Sequence, residues 1–308
     1  MRLVVAALAM AVGFGGSAAA GERSPAELLA ACDQAAANPF DNTRPAGVPG
    51  VSFDKIVPDT AIAACKEAAA AAPDDARIAM QLGRAYEAAK DLDGARMQYV
   101  KAYQSGNAQA AANLALLYVN GRGVPKDDAE ALRLFKIAAD QGNALGQNGL
   151  GNLLEQGRGG PKDEVEAVRL LKLSADQGFP PAQNNLGRLY QTGRGGLAKD
   201  DREAVRLYKL AADQGSAPGQ ANLGIAYMNG IGGLAKDERE AVRLFKLSAD
   251  QGSSLGQASL GLAYERALGG LPKDEREAAR LYKLAADQGN TVAQGLLARL
   301  NGAALAPK

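Results

Sequence analysis

Five pairs of carboxylates recur three residues apart: Asp127/Glu130, Asp163/Glu166, Asp200/Glu203, Asp237/Glu240 and Asp274/Glu277. Two carboxyls in one site can divide the work of general acid and general base when their surroundings push their pKa values apart. The same spacing describes an Asp N-cap with a Glu in the first helical turn, the Asp version of a capping box. Repetition in every unit favours that structural job over a single catalytic centre. The glycine turns GRGVPKD, GRGGPKD, GRGGLAKD, GIGGLAKD and ALGGLPKD suggest phosphate cradles. No Lys-Ser/Thr follows them and a helix precedes them, so they read as repeat turns. The chain has no His, which removes the commonest general base and metal ligand and every Ser-His or Cys-His nucleophile. Lys199 to Arg202 supply too few oxygens at alternate positions for a calcium loop. We therefore expect no catalytic residue, no metal and no cofactor.

The elements that carry these residues repeat. LAKDEREAVRLFKLSADQG, residues 234–252, has four near copies, ending at Gly142, Gly178, Gly215 and Gly289. The five closing glycines lie 36, 37, 37 and 37 residues apart. A fixed period of this size predicts a solenoid, whose units are too small to bury a core alone and must stack on their neighbours. The units run over 108–143, 144–179, 180–216, 217–253 and 254–290. Each opens with an A helix carrying Leu114, Leu150, Leu186, Leu223 or Leu260, usually followed by Gly. Four residues after the Leu comes Tyr118, Tyr190, Tyr227 or Tyr264, with Leu154 as the exception. Leu and aromatic at i and i+4 share one face, and the Gly between them lets the partner helix approach closely. The B helix then begins at its Asp cap, buries one apolar stripe such as Ala241, Leu244, Phe245 and Ala249, and stops at the closing Gly. Arg133, Arg169, Arg206, Arg243 and Arg280 each follow a Glu by three residues, which predicts modest surface pairs. Gln147, Gln183, Gln220, Gln257 and Gln294 recur in register, which predicts scaffold hydrogen bonds.

Lys+Arg is 35 and Asp+Glu is 34. Arg2 is the only charge among the first twenty residues, so the remainder balances at 34 against 34. This is no basic footprint for nucleic acid and no polybasic membrane patch. Arg2, the apolar run Leu3 to Phe14 and Ala18-Ala19-Ala20 spell a signal peptide cleaved after Ala20. Leu29 to Cys32 spells a lipoprotein-type box. The charges at Glu22, Arg23 and Glu27 separate it from the apolar core, so that reading is rejected. No later run approaches a transmembrane span. Cys32 and Cys65 are the only cysteines, and an exported chain with an even count predicts one disulfide.

Ahead of the repeats, Ser24 caps a helix with Pro25 at N1 that runs to about Ala37. Pro39, Pro45 and Pro49 then force an irregular connection to about Val57. Asp59 or Thr60 is expected to cap a second helix to about Ala72, and Pro73-Asp74-Asp75 to stop it and cap the next.

Ala182-Gln183, Leu186-Gly187, Tyr190, Gly193, Gly195, Asp200, Glu203-Ala204, Ala211-Ala212 and Gly215 together resemble the Sel1-like repeat, a longer relative of the tetratricopeptide repeat. The resemblance covers 108–290. Leu82-Gly83, Tyr86, Ala95, Tyr99 and Ala102 resemble the tetratricopeptide pattern, and Cys65, Ala68 and Pro73 extend it backward. The implied organisation is a signal peptide at 1–20, a disulfide-stapled helical cap with a proline loop at 21–75, and a tetratricopeptide-like repeat at 76–107. Five Sel1-like repeats at 108–290 and a capping helix with tail at 291–308 complete it. The resemblance implies an all-α, right-handed superhelical solenoid of antiparallel helix pairs whose A helices line a concave, protein-binding surface. Some cysteine-rich relatives are linked to β-lactam binding, but this chain lacks their repeat-internal cysteines. Aligned positions place Arg84, Glu87 and Gln109 toward that surface. Beyond them Asn148, Asn152, Glu155, Asn184, Arg188, Gln191 and Asn229 are the candidate protein-binding residues, because function should lie where the units differ. Amides there can grip a peptide backbone, and Arg188 can take a carboxylate. The expected function is a non-enzymatic, periplasmic or secreted scaffold for a protein or peptide, without nucleic acid or a membrane span. An envelope enzyme or binder of peptidoglycan-like ligands and a secreted host-directed effector are the alternatives.

Overall fold

The computed structural model describes residues 23–41 and 43–305, and every regular element among them is helical. The expected signal peptide lies outside the described residues. The first pair is α1 (Pro25–Ala36) and α2 (Pro58–Ala71), and the second is α3 (Ala76–Ala88) and α4 (Leu92–Gln104). The periodic region supplies the A helices α5 (Ala108–Asn120), α7 (Ala144–Gln156), α9 (Pro180–Thr192), α11 (Ala217–Asn229) and α13 (Ser254–Arg266). Its B helices are α6 (Asp128–Asp140), α8 (Glu164–Asp176), α10 (Asp201–Asp213), α12 (Glu238–Asp250) and α14 (Glu275–Asp287). A last A-type helix, α15 (Thr291–Leu305), covers the end. Each helix packs on the one before it and the one after it, the contact pattern of a solenoid.

Caps set the register. Every B helix of the periodic region starts at its predicted Asp; Asp237 accepts from the backbone N–H groups of Arg239 and Glu240. The reciprocal half of the capping box is absent. The cap's own N–H donates to the preceding A helix, from Asp200 to the Tyr190 carbonyl at 2.9 Å and from Asp237 to that of Tyr227 at 3.0 Å. The Glu three residues on grips the Arg of the next turn with both oxygens, as Glu240 does Arg243 at 2.7 Å. The cap therefore joins two helices as well as starting one. A second departure is at α2, where Pro58 occupies N1 behind Val57 and no side chain caps the helix. Asp59 and Thr60 fall inside its first turn, because Pro58 already fixes the helical φ and needs no acceptor for an N–H.

The A helices end left-handed, at Gly121, Gly157, Gly193 and Gly230, and in the last full unit at Ala267 with φ +54°. Two residues further on, the backbone presses against the previous B helix. A Cβ on Gly232 would lie 2.4 Å from the Asp201 carbonyl oxygen, so that turn admits only glycine.

Each A helix meets its B helix through one large side chain. Tyr99, Tyr208, Phe245 and Tyr282 lie against Gly83, Gly187, Gly224 and Gly261, where an added Cβ would come within 2.6 to 2.8 Å of the ring. Burying each such ring is worth about 1.5–3 kcal/mol. The predicted glutamines tie the other end of the pair: Gln214 donates to Gln183 at 2.9 Å and Gln251 to Gln220 at 2.8 Å.

The first pair is fastened differently. Cys32 and Cys65 form a disulfide, completely buried between α1 and α2. Asp33 on α1 accepts from Arg77 and from Gln81 of α3. The loop between α1 and α2 carries one turn of 3-10 helix at Phe53–Lys55 and leaves the pair to lie over α3. Its Phe40 meets Phe179, at the start of α9, edge to face with ring centroids 5.0 Å apart.

Candidate functional site

Successive A helices also touch one another, α5 with α7, α9 with α11 and α11 with α13. Among the described residues no two successive B helices do so to a comparable extent. The side chains that repeat hold helix pairs together, so those that differ between units are the candidates for recognition.

In the middle of the array these form two polar clusters. In the first, the Asn185 amide of α9 donates to the side-chain oxygens of Asn148 at 3.1 Å and Asn152 at 3.0 Å on α7, and Asn222 of α11 donates to Asn184 at 2.8 Å. The result is a ladder of amides running across three A helices. In the second, Glu155 accepts from Arg188 at 2.6 Å and pairs with Arg194 at 3.0 Å. Arg194 also reaches Glu164 at 2.6 Å, and Lys162 holds Glu164 at 2.6 Å. Hydrogen bonds from Lys162 and then Arg194 hold the Glu164 carboxyl down at about 2. Three cations thus face two carboxylates around an open recess of about 480 Å³ lined by Glu155, Gln156, Lys162, Arg188 and Arg194. A surplus positive charge beside amide donors and acceptors can hold a carboxylate and a peptide backbone.

The predicted residues divide by availability. Asn152, Asn184 and Arg188 are partly exposed and belong to the clusters. Asn148 and Glu155 are buried, so they position Asn185 and Arg188, and Glu155 reaches the recess only as the acceptor of its arginines. Gln191 accepts from the Tyr208 hydroxyl at 3.1 Å, whose burial pushes its pKa up to about 12. Asn229 is exposed, bonds only to its own helix at the Ile225 carbonyl, and stands apart from the ladder. Arg84 is buried and donates to the carbonyls of Ala36 at 2.5 Å and Val51 at 2.9 Å, so the end of α1 and the loop after it occupy it. Gln109 is buried and bonded to Asn113. Sequence reasoning missed Asn185, Asn222 and Arg194. Asn185 precedes Leu186 of its own unit as Asn222 precedes Leu223 of the next, a recurrence visible in the sequence.

Among the described residues there is no group of three or more His, Cys, Asp or Glu placed to hold a metal ion. No described helix is long and apolar enough to cross a membrane.

The family model described as "Sel1 repeat" matches residues 108–143, 144–179, 180–216, 217–253 and 254–290. A Sel1 repeat protein from Oxalobacter formigenes is similar at 32% identity and a TM-score of 0.58, with 71% of this chain and 86% of that one covered. The crystal structure of c5321, described as a protective antigen present in uropathogenic Escherichia coli strains and displaying an SLR fold, is similar at 30% identity and a TM-score of 0.54. That match covers 82% of this chain but only 53% of c5321, so the chain spans about half the length of that relative. No curated protein sequence matches the chain.

Proposed function

The chain belongs to the Sel1 repeat family, and from that premise we propose that it is an exported, non-enzymatic scaffold that binds a protein or peptide segment on the side of its A helices. Contact between successive A helices supports an inner, concave side there, since the crowded edge of a bent stack is the inner one. The observation that carries the reading is the polar centre: the ladder from Asn148 to Asn222 beside the recess of Arg188, Arg194 and Lys162. Its partly exposed amides suit a peptide backbone of any sequence, and its surplus cation suits an acidic side chain or chain end. The carboxylates beside them are committed to ion pairs and caps, which supports a binding role over hydrolysis. Export rests on the first twenty residues and is consistent with a disulfide between fully buried cysteines.

Crosslinking in intact cells, followed by purification of the tagged full chain, tests this. One stoichiometric envelope protein should be recovered, and Asn152→Ala combined with Arg188→Glu should lose it. Full retention by that variant rules out the polar centre as the binding surface. A mature N-terminus other than Gly21 rules out the assigned cleavage.

A further inference from the structure

The position held by Arg84 in α3 is Leu116, Asn152 and Arg188 in the next three A helices, then Ile225, Leu262 and Arg299. Beyond α9 the A-helix side therefore turns from polar to aliphatic. Ile225 and Met228 of α11, Leu255 and Leu262 of α13, and Val292 and Leu296 of α15 line a groove of about 450 Å³. Its lining is largely apolar, Val292 is 67% exposed, and the others are half-buried. Ile225 and Met228 also rest on the core cluster around Phe245 and Leu260, whereas Leu255, Leu262, Val292 and Leu296 belong to no core cluster of the described residues. Equivalent positions one and two repeats before Ile225 carry Arg188 and Asn152, so the repeat itself does not demand an aliphatic residue there. A contiguous apolar patch of this kind, rimmed by polar groups, is the form of a protein-binding groove.

The rim selects the partner. Lys236 and Glu238 neutralise each other at 2.8 Å, and Arg299 is taken up by Glu265. Arg266 also lines the groove, is exposed, and forms no ion pair among the described residues. The free charge at this groove is thus a single cation beside an aliphatic floor. We propose that the groove formed by α11, α13 and α15 is a second binding subsite. It takes a peptide segment that presents two or three neighbouring Leu, Ile, Met or Phe side chains next to one Asp or Glu, with that carboxylate on Arg266. The volume accommodates two or three such side chains, and the apolar anchors provide the affinity while the ion pair fixes the register. The subsite rests on the reading that the A-helix side is the binding side, but it uses none of the polar centre.

The probe is a phage-displayed library of random 12-residue peptides panned on the full mature chain. A selected peptide is then synthesised with a fluorescein label and followed by anisotropy. Enriched sequences should share adjacent large apolar residues with an acid within about one helical turn. Binding of the labelled peptide should fall about tenfold or more with Leu262→Asp or with the surface change Val292→Asp. It should fall about two- to fivefold with Arg266→Glu, and changing the peptide's acid to Lys should restore that loss. The Asn152→Ala/Arg188→Glu variant should bind the peptide unchanged. Absence of enrichment, a consensus without an acid, or full binding by the Val292→Asp variant overturns the subsite. So does a wild-type dimer in sedimentation that Val292→Asp converts to monomer, since the occupant would then be a second copy. Loss only in the Asn152→Ala/Arg188→Glu variant overturns the subsite and leaves the polar centre standing. Indifference to every variant overturns the subsite, and the polar centre then stands or falls by the crosslinking experiment.

Discussion

The carboxylate of Glu155, only 4% exposed, accepts from the Arg188 guanidinium of the following repeat at 2.6 Å. Its counterparts in other units pair forward too, Glu87 with Arg122 at 2.7 Å and Glu265 with Arg299 at 2.6 Å. Each also accepts from a tyrosine of its own unit, Glu87 from Tyr99 at 2.8 Å and Glu265 from Tyr282 at 2.8 Å. In the unit of Glu155 the B helix carries Leu171, which has no hydroxyl, so the carboxylate rests on Arg188 and Arg194 of the neighbouring repeat alone. Glu155→Ala should therefore destabilise the chain by about 1.5–3 kcal/mol, the range for a lost hydrogen bond to a charged group. A double-mutant cycle with Arg188→Ala should give a coupling of about 0.5 kcal/mol or more in urea denaturation. A coupling near zero would mean that the pair does not join the repeats.

Two turn positions should respond in opposite directions. Gly232 has φ +67° and no room for a Cβ, so Gly232→Ala should cost about 1–3 kcal/mol. Ala267 holds a left-handed φ that the four preceding units give to glycine, so Ala267→Gly should stabilise by about 0.5–1 kcal/mol. Thermal melts of the two variants against the parent check both signs.

Replacing Cys32 and Cys65 by Ser should remove about 3–4 kcal/mol from the N-terminal cap by the loop-closure argument. In a solenoid that loss stays local. Hydrogen exchange should show α1 and α2 losing protection while α10 to α14 keep theirs; equal loss in both regions would contradict the one-dimensional account.

The Glu164 carboxyl sits at about 2, against an ordinary value of 4.5, because Lys162 and Arg194 donate to it. A depressed acid stabilises the fold above its ordinary pKa, and that contribution disappears as the pH falls from about 4.5 through about 2. The side-chain NMR titration of Glu164 should have its midpoint near 2, and Lys162→Ala should raise it.

The repeat period, the helix boundaries and the Asp caps were legible because each recurs, and recurrence separates a structural requirement from chance. Val57 as the N-cap of α2 was not legible, since Asp59 and Thr60 are better cap types, and the start is set by Pro58 at N1. The site was legible in part. Asn152 and Arg188 stand out as departures from the repeat, but whether such a residue is free or engaged depends on the helix beside it. Arg84 illustrates this, being taken by the carbonyls of Ala36 at the end of α1 and of Val51 in the proline loop, whose course has no periodic signal in the sequence. The match of hydroxyl to acceptor was readable and unread: Tyr99, Tyr208 and Tyr282 face Glu87, Gln191 and Glu265, whereas units with Phe135 and Phe245 carry Val119 and Met228.

The ring of Phe40 on Phe179 changes how the array should respond to force. A stack of nearest-neighbour contacts pulled from its ends behaves as springs in series, each repeat yielding on its own. A side chain from residue 40 lodged at residue 179 places a tie in parallel with everything between α3 and α9. Under tension the chain should peel from α15 toward α9 in small steps, then hold, and then release the shielded half in one longer extension.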